Sequence, residues 1–301
     1  MMLRPSGVIS AMLTPWKAGQ PDMDMLRKIV DFQIAAGLSA LFPVSSVGEA
    51  GYMDVEQKRA VVETVVEQTA GRVPVWAGIP ATTTDESIAL AHAAERAGAS
   101  GVVLMPPSFY HYDAATLTSV FRQVASTVNL PLCLYNIPFF ADPLNAESVA
   151  ELAAHPNIVG IKDSSGDAVG MMKMLSCCPR EDADFAVMTG REEFFFSALC
   201  AGATGSVTAT AGVLPEVMCK IYDLFSEGKT EQSKALQFAA LPVMSMMASL
   251  PFPLGYKLGM SLRGFPLGEN KIPLSDEIKQ KIDDLSFSLN KEITSLLTLI
   301  K

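Results

Sequence analysis

The sequence predicts an α/β fold: a (β/α)8 (TIM) barrel with a C-terminal helical extension. Three observations carry that expectation. Eight short, continuously apolar runs alternate with longer amphipathic segments, as buried parallel strands and their covering helices do. A helix-to-strand joint recurs as Ala36-Gly37-Leu38-Ser39-Ala40, Ala97-Gly98-Ala99-Ser100-Gly101 and Ala201-Gly202-Ala203-Thr204-Gly205. In each, glycine ends a helix and a small residue opens a strand. Finally, no G-x-G-x-x-G turn follows the first apolar run, which weakens the alternative of a doubly wound open sheet.

The elements follow in order. The expected strands are residues 8–13, 40–45, 75–79, 101–105, 132–136, 158–164, 185–189 and 205–209. Each is short and apolar, as a buried parallel strand should be. The segments 22–36, 55–70, 85–97, 113–127, 146–154, 167–175 and 192–200 read as helices by period and length. Asp54, Thr84, Asp113 and Asn145 are expected N-caps, and Gly37, Gly71, Gly98 and Gly202 expected terminators. Residues 230–248 and 276–299 are two further helices, separated by Pro251-Phe252-Pro253. One structural unit is expected, with a barrel over residues 1–225 and the extension over 226–301.

Composition narrows the function. The chain has 301 residues, 49% of them hydrophobic and 18% charged, and a net charge of −9. That excludes a disordered chain, and an acidic chain without a basic run does not suit nucleic acid. Residues 194–215 and 235–256 carry no charge and approach the roughly 20 residues that span a bilayer. The first holds Gly202, Gly205 and Gly212, and the second is cut by Pro242, Pro251 and Pro253. Both therefore read as buried strand and helix, with no membrane partner expected. The N-terminus lacks the long apolar run of a secretory signal. The five cysteines, an odd number, read as reduced thiols of a cytoplasmic protein. The three histidines, His92, His111 and His155, include no i, i+4 pair, and Cys177–Cys178 lacks ligand spacing. No His- or Cys-based metal site is expected.

The active site of such a barrel lies at the C-terminal ends of its strands. Lys162 is the sharpest signal there, because it alone among the lysines falls inside an apolar strand. Alternation places it with Gly160 and Ser164, facing the interior if Ile161 faces the helices. Desolvation disfavours an ammonium, and a neutral amine attacks a ketone to form a Schiff base. The residues alone leave two alternatives open: pairing with a carboxylate, or snorkelling from a strand end. Tyr135 ends the fifth strand, where a phenol can move a proton or simply fill the core. The turn Ser45-Ser46-Val47-Gly48-Glu49 offers hydroxyls and consecutive N–H groups to a carboxylate, or is an ordinary Ser/Gly turn.

Together these motifs resemble the pyruvate-dependent class I aldolases of the dihydrodipicolinate synthase / N-acetylneuraminate lyase family, over nearly the whole chain. Gly7-Val8-Ile9-Ser10-Ala11-Met12-Leu13-Thr14-Pro15 is similar to the family's opening strand, and residues 45–49 to its Gly-Ser/Thr-Thr-Gly-Glu turn. Tyr135-Asn136-Ile137-Pro138 resembles its tyrosine motif and Gly160-Ile161-Lys162-Asp163 its Schiff-base motif. The resemblance implies three catalytic residues: Lys162 forming the imine with a 2-oxo acid, Tyr135 shuttling the proton of the substrate hydroxyl, and Ser46 relaying it. It implies substrate contacts at Ser45, Val47, Ser164, Glu192, Val207, Thr208, Tyr110 and Phe140, no metal or external cofactor, and a homotetramer built as a dimer of dimers.

Departures from the pattern bear on the substrate. Val47 replaces the turn's second threonine, Phe140 the synthase's carboxylate-binding arginine, and Phe109, with Tyr110 beside it, the synthase's second tyrosine. These argue against 4-hydroxy-tetrahydrodipicolinate synthase activity. Glu192 and Glu193 match the acidic pair of sialic-acid lyases, and Ser164 a hydroxyl residue there. Ala209 and Arg191 replace a serine and a tyrosine. The expected reaction is cleavage of a sugar-derived 2-oxo-3-deoxy acid to pyruvate and an aldehyde. The alternatives are dehydration through the same imine, the synthase reaction, and a non-catalytic barrel that binds a 2-oxo acid.

Overall fold

The computed structural model describes residues 3–178 and 185–300. Eight parallel strands form the barrel: β1 Gly7–Ala11, β2 Ala40–Phe42, β3 Trp76–Gly78, β4 Gly101–Leu104, β5 Leu132–Asn136, β6 Ile158–Asp163, β7 Ala186–Thr189 and β8 Gly205–Thr208. Their order is β2-β1-β8-β7-β6-β5-β4-β3. The Leu41–Val75 bridge and the Gly78 N–H bond to the Pro43 carbonyl, 3.0 Å, close β3 onto β2. The strands are buried along their whole length, which explains why they read as unbroken apolar runs.

Helices α1 Met23–Ala35, α2 Val55–Thr69, α3 Thr84–Ala97, α4 Ala114–Thr127, α5 Ala146–Ala153, α6 Ala168–Cys177 and α7 Phe195–Ala201 cover the barrel. Asp54 closes a capping box with Gln57, and Asp113 and Asn145 cap α4 and α5. Such caps are each worth about 1 kcal/mol. The cap of α3 is Thr83, one residue before the expected Thr84. Gly98 and Gly202 end their helices in the left-handed region, φ 89° and 100°. The small residue opening the next strand is needed sterically: a Cβ at Gly101 would run into the Trp76 ring, and one at Gly205 into the Gly7 backbone.

Two differences from expectation matter for the site. β2 stops at Phe42 rather than residue 45, because Val44 turns the chain with φ 57°. A β-branched residue there is strained by about 1–3 kcal/mol. Gly78 makes the turn possible, since a Cβ on it would collide with the Val44 carbonyl. The region after β8 also holds more helix than expected. A short turn, α8 Thr210–Val213, leads into α9 Pro215–Ser226. After α10 Thr230–Ala248 comes α11 Leu254–Leu262, and α12 Asp276–Leu299 ends the fold. Helix α10 packs on α9, α11 and α12. Met244 and Met247 are buried in that packing. No described helix is long and apolar enough to cross a membrane.

Candidate active site

Lys162 projects from β6 into the barrel. It reaches an interior gap with Ile9, Phe42, Trp76, Val103, Cys133 and Val207, which come from six other strands. Above this gap it lines a cavity of about 420 Å³ at the C-terminal end of the barrel. Its Nζ lies 4.0 Å from the Tyr135 ring centre and 5.2 Å from that of Phe42. Among the described residues no carboxylate pairs with it. Asp163, next along the strand, turns away. It accepts from Asn136 Nδ2 at 2.7 Å and from the Ser165 N–H and hydroxyl at 3.2 and 2.9 Å. Burial pushes the Asp163 carboxyl above the usual aspartate range, with the Asn136 and Ser165 bonds opposing.

Parallel pairing sets Tyr135 beside Lys162 in register. The Tyr135 hydroxyl stands 3.1 Å from Ser46 Oγ, a chain of two hydroxyls next to the amine. The turn that carries Ser46 is braced from inside. Ser45 Oγ donates to the Met12 carbonyl at 3.0 Å and accepts from the Gly48 N–H at 3.2 Å. Glu49, in the left-handed region with φ 61°, is held at one oxygen by Trp16 Nε1–H at 3.0 Å and Lys257 Nζ at 3.1 Å.

β7 flanks β6 on the other side, with Met188 in register with Lys162. A Cβ at Gly190 would strike Ser164 Oγ and stand 3.0 Å from Lys162 Cε, so glycine there keeps room for the amine's stem. Glu192 is 4% exposed. Its Oε1 accepts from Tyr256 OH at 2.6 Å and Thr210 Oγ1 at 3.0 Å. Burial, then the neighbouring Glu193 charge, push its carboxyl above the glutamate range, and the Tyr256 and Thr210 bonds oppose this. Glu192 is therefore no solvated helix-terminal charge: it opens a 3₁₀ turn, Glu192–Phe194, inside the fold.

Of the residues singled out in the sequence, Lys162, Tyr135, Ser46, Val47, Ser164, Glu192, Val207 and Phe140 line one cavity. Ser45 lines an adjoining cavity of about 410 Å³ that shares Ser46, Tyr135 and Phe140. Thr208 and Tyr110 line neither. Thr208 is 1% exposed and its Oγ1 accepts from the Ala211 N–H at 3.4 Å, so it braces the turn after β8. Tyr110 is exposed against Phe109, whose φ is 98°. His111 and Tyr112 bind Asp142 and hold this loop outward. Sequence reasoning missed Lys257, Gly190, Leu250 and Phe252. Lys257 had a signal, a lone cation between Tyr256 and Leu258. No cluster of three His, Cys, Asp or Glu side chains among the described residues is placed to hold a metal ion.

An unpaired lysine on a barrel strand, beside a tyrosine–serine hydroxyl pair at the C-terminal mouth, is the arrangement of a Schiff-base aldolase. Comparisons with known proteins agree. The sequence model of the Dihydrodipicolinate synthetase family matches residues 4–291. The 4-hydroxy-tetrahydrodipicolinate synthase of Hyphomonas neptunium is 34% identical over 270 residues, 89% of this chain and 92% of that one. That of Pelobacter propionicus is 32% identical over 270 residues, with the same coverage. Among solved structures, YagE, a prophage protein of the dihydrodipicolinic acid synthase family from E. coli K12 in complex with pyruvate, superposes with a TM-score of 0.89. It is 27% identical, with 95% of this chain and 98% of that one covered. Dihydrodipicolinate synthase from Acinetobacter baumannii, complexed with pyruvate, gives 0.89 at 27% identity, covering 96% and 99%. The chain belongs to the dihydrodipicolinate synthetase family, whose members are pyruvate-dependent class I aldolases and lyases.

Proposed function

We propose that the chain cleaves a sugar-derived 2-oxo-3-deoxy acid to pyruvate and an aldehyde through an imine on Lys162. The observation that carries this is the unpaired Lys162 amine beside the Tyr135–Ser46 hydroxyl pair. The amine adds to the C2 carbonyl and water leaves, giving the imine. Tyr135 takes the C4 hydroxyl proton, and Ser46 relays it. The C3–C4 bond breaks, its electron pair moves into the imine, and the aldehyde departs. Protonation of the resulting enamine at C3, then hydrolysis, releases pyruvate and restores the amine. The turn at Ser46 and Val47 takes the C1 carboxylate. A cytoplasmic dimer of dimers is part of the proposal.

A second reading is supported by the relatives, which are 4-hydroxy-tetrahydrodipicolinate synthases at 32–34% identity. Against it, Phe140 stands in the cavity wall where that reaction wants an arginine, and Phe109 and Val47 lack hydroxyls. Incubation with pyruvate and borohydride tests the imine: the added mass is expected on Lys162, and Lys162→Ala is expected to lose both adduct and turnover. No adduct with any 2-oxo acid would overturn the reading. Pyruvate release from 2-keto-3-deoxygluconate, its epimers and N-acetylneuraminate then reports cleavage. Loss of water without pyruvate marks a dehydratase instead, and condensation with aspartate semialdehyde marks the synthase.

A further inference from the structure

The Lys162 cavity carries a second cation that the imine chemistry leaves unused. Arg191 follows Gly190 at the C-terminal end of β7 and lines the same cavity. Its backbone is fixed, because its N–H donates to Thr189 Oγ1 at 3.1 Å and its carbonyl accepts from that hydroxyl at 3.2 Å. The side chain is supported as well. Its stem passes over Gly166, where a Cβ would stand 3.8 Å from Nε and 3.9 Å from Cγ. The guanidinium carbon lies 5.8 Å from the Phe139 ring centre, a cation–π contact. Its one ion contact among the described residues is Nε to Glu193 Oε2, at 3.7 Å. No hydrogen bond to a described residue engages the two terminal nitrogens. Glu192 does not compete, because its Oε1 faces Tyr256 and Thr210.

Phe139, Phe140, Leu250 and Phe252 line the same cavity and bring no charge to it. Lys162 fixes C2 of a 2-oxo acid, and the turn at Ser46 and Val47 takes the C1 carboxylate. A cation beyond Gly190 therefore faces the other end of the substrate. A planar guanidinium with free terminal N–H groups matches an oxyanion in bidentate fashion and gains little from a neutral polyol.

We propose that Arg191 sets the substrate class: the aldehyde half of the cleaved 2-oxo acid ends in an oxyanion, a carboxylate or a phosphate, and the Arg191 guanidinium binds it. This rests on the imine reading. It narrows a sugar-derived substrate to one whose far end is oxidised to an acid or phosphorylated. Arg191 is a specificity residue here, with no part in the bond-breaking step.

The test runs the reaction in the condensation direction, with pyruvate and three aldehydes of one carbon skeleton: glyceraldehyde, tartronate semialdehyde and glyceraldehyde 3-phosphate. The wild type is expected to favour an anionic aldehyde over glyceraldehyde by at least tenfold in kcat/KM, mostly through KM. The favoured anion tells carboxylate from phosphate. Arg191→Gln is expected to reduce that ratio at least tenfold, and Arg191→Lys to restore part of it. A purely structural role would lower all three aldehydes alike, and that result would overturn the assignment. Borohydride trapping of pyruvate on Lys162 is run beside it. Trapping without a preference for an anionic aldehyde overturns the Arg191 assignment alone, and no trapping overturns the imine reading and this inference with it.

Discussion

Replacing Lys257 by methionine should destabilise the fold more than any change at an exposed ion pair. Lys257 and Glu49 are 7% and 6% exposed along their side chains and meet at 3.1 Å. Lys257 also donates to the Glu269 carbonyl at 2.9 Å. Removing one partner of a buried pair costs about 3–5 kcal/mol, because the other charge is left without compensation. Glu49 keeps the Trp16 indole donor at 3.0 Å, which argues for the lower end, about 3 kcal/mol. With an unfolding entropy of about 2.1 cal/mol/K per residue, each kcal/mol moves the Tm of a chain of this size by about 1.6 °C, so the expected fall is on the order of 5 °C.

Denaturant unfolding of Lys257→Met, Glu49→Gln and the double variant measures this. The double variant should recover at least half of the loss, since no uncompensated charge remains. A loss under about 1 kcal/mol, the size of a surface pair, would refute the argument. The bridge should also be felt in catalysis. The Glu49 N–H bonds to the Ser46 carbonyl at 3.1 Å, so loosening Glu49 loosens the residue facing Tyr135. A kcat reduced about tenfold, with pyruvate still trapped on Lys162, is the expected signature of a displaced hydroxyl.

Other outcomes follow from the same geometry. Tyr135→Phe should lower kcat by about 10²–10⁴ while imine trapping persists, and single-turnover kinetics separates the two steps. Glu192 should make the fold less stable as pH rises. Burial raises its carboxyl pKa in the folded chain, so the folded state holds that proton where the unfolded chain, with a pKa of about 4.3, has released it. Stability therefore falls from that pH up to the raised value, and Glu192→Gln should flatten the fall; equal slopes in both proteins would contradict it. Native thiol labelling should stop at exposed Cys177 and Cys200. Burial pushes the Cys133, Cys178 and Cys219 thiols up to about 12, so they should react only after unfolding.

The barrel was legible because strands buried on both faces leave an unbroken apolar record, and glycine-ended helices mark where three of the strands begin. Lys162 was legible for the same reason, as the one lysine within such a record. The Tyr135–Ser46 contact spans 89 residues and was reachable only through motifs in order along the chain. The Glu49–Lys257 bridge spans 208 residues and matches no local pattern. Helix α11 was hidden by its own composition. Gly255 and Gly259 weaken helix propensity, yet a Cβ at Gly255 would collide with the Met247 carbonyl, so close packing on α10 requires the residue that obscures the helix. Tyr110, whose expected role rests on its place beside Phe109, lies outside this chain's own cavity on a loop tied to Asp142.

Three lysines are buried among the described residues, and their surroundings separate structure from chemistry. Lys58 donates to the Pro80 carbonyl at 2.9 Å and lies 3.7 Å from Glu86. Lys257 meets Glu49 and the Glu269 carbonyl. Both have what a buried ammonium requires, a carboxylate and a carbonyl acceptor. Lys162, 3% exposed, has only the faces of Tyr135 and Phe42. Its nearest carboxylate in sequence, Asp163, is turned to Asn136 and Ser165, so that pairing is spent elsewhere. Two buried lysines have acceptors and the third, which lines the 420 Å³ cavity, has none among the described residues, so Lys162 is the lysine that the proposed imine would use.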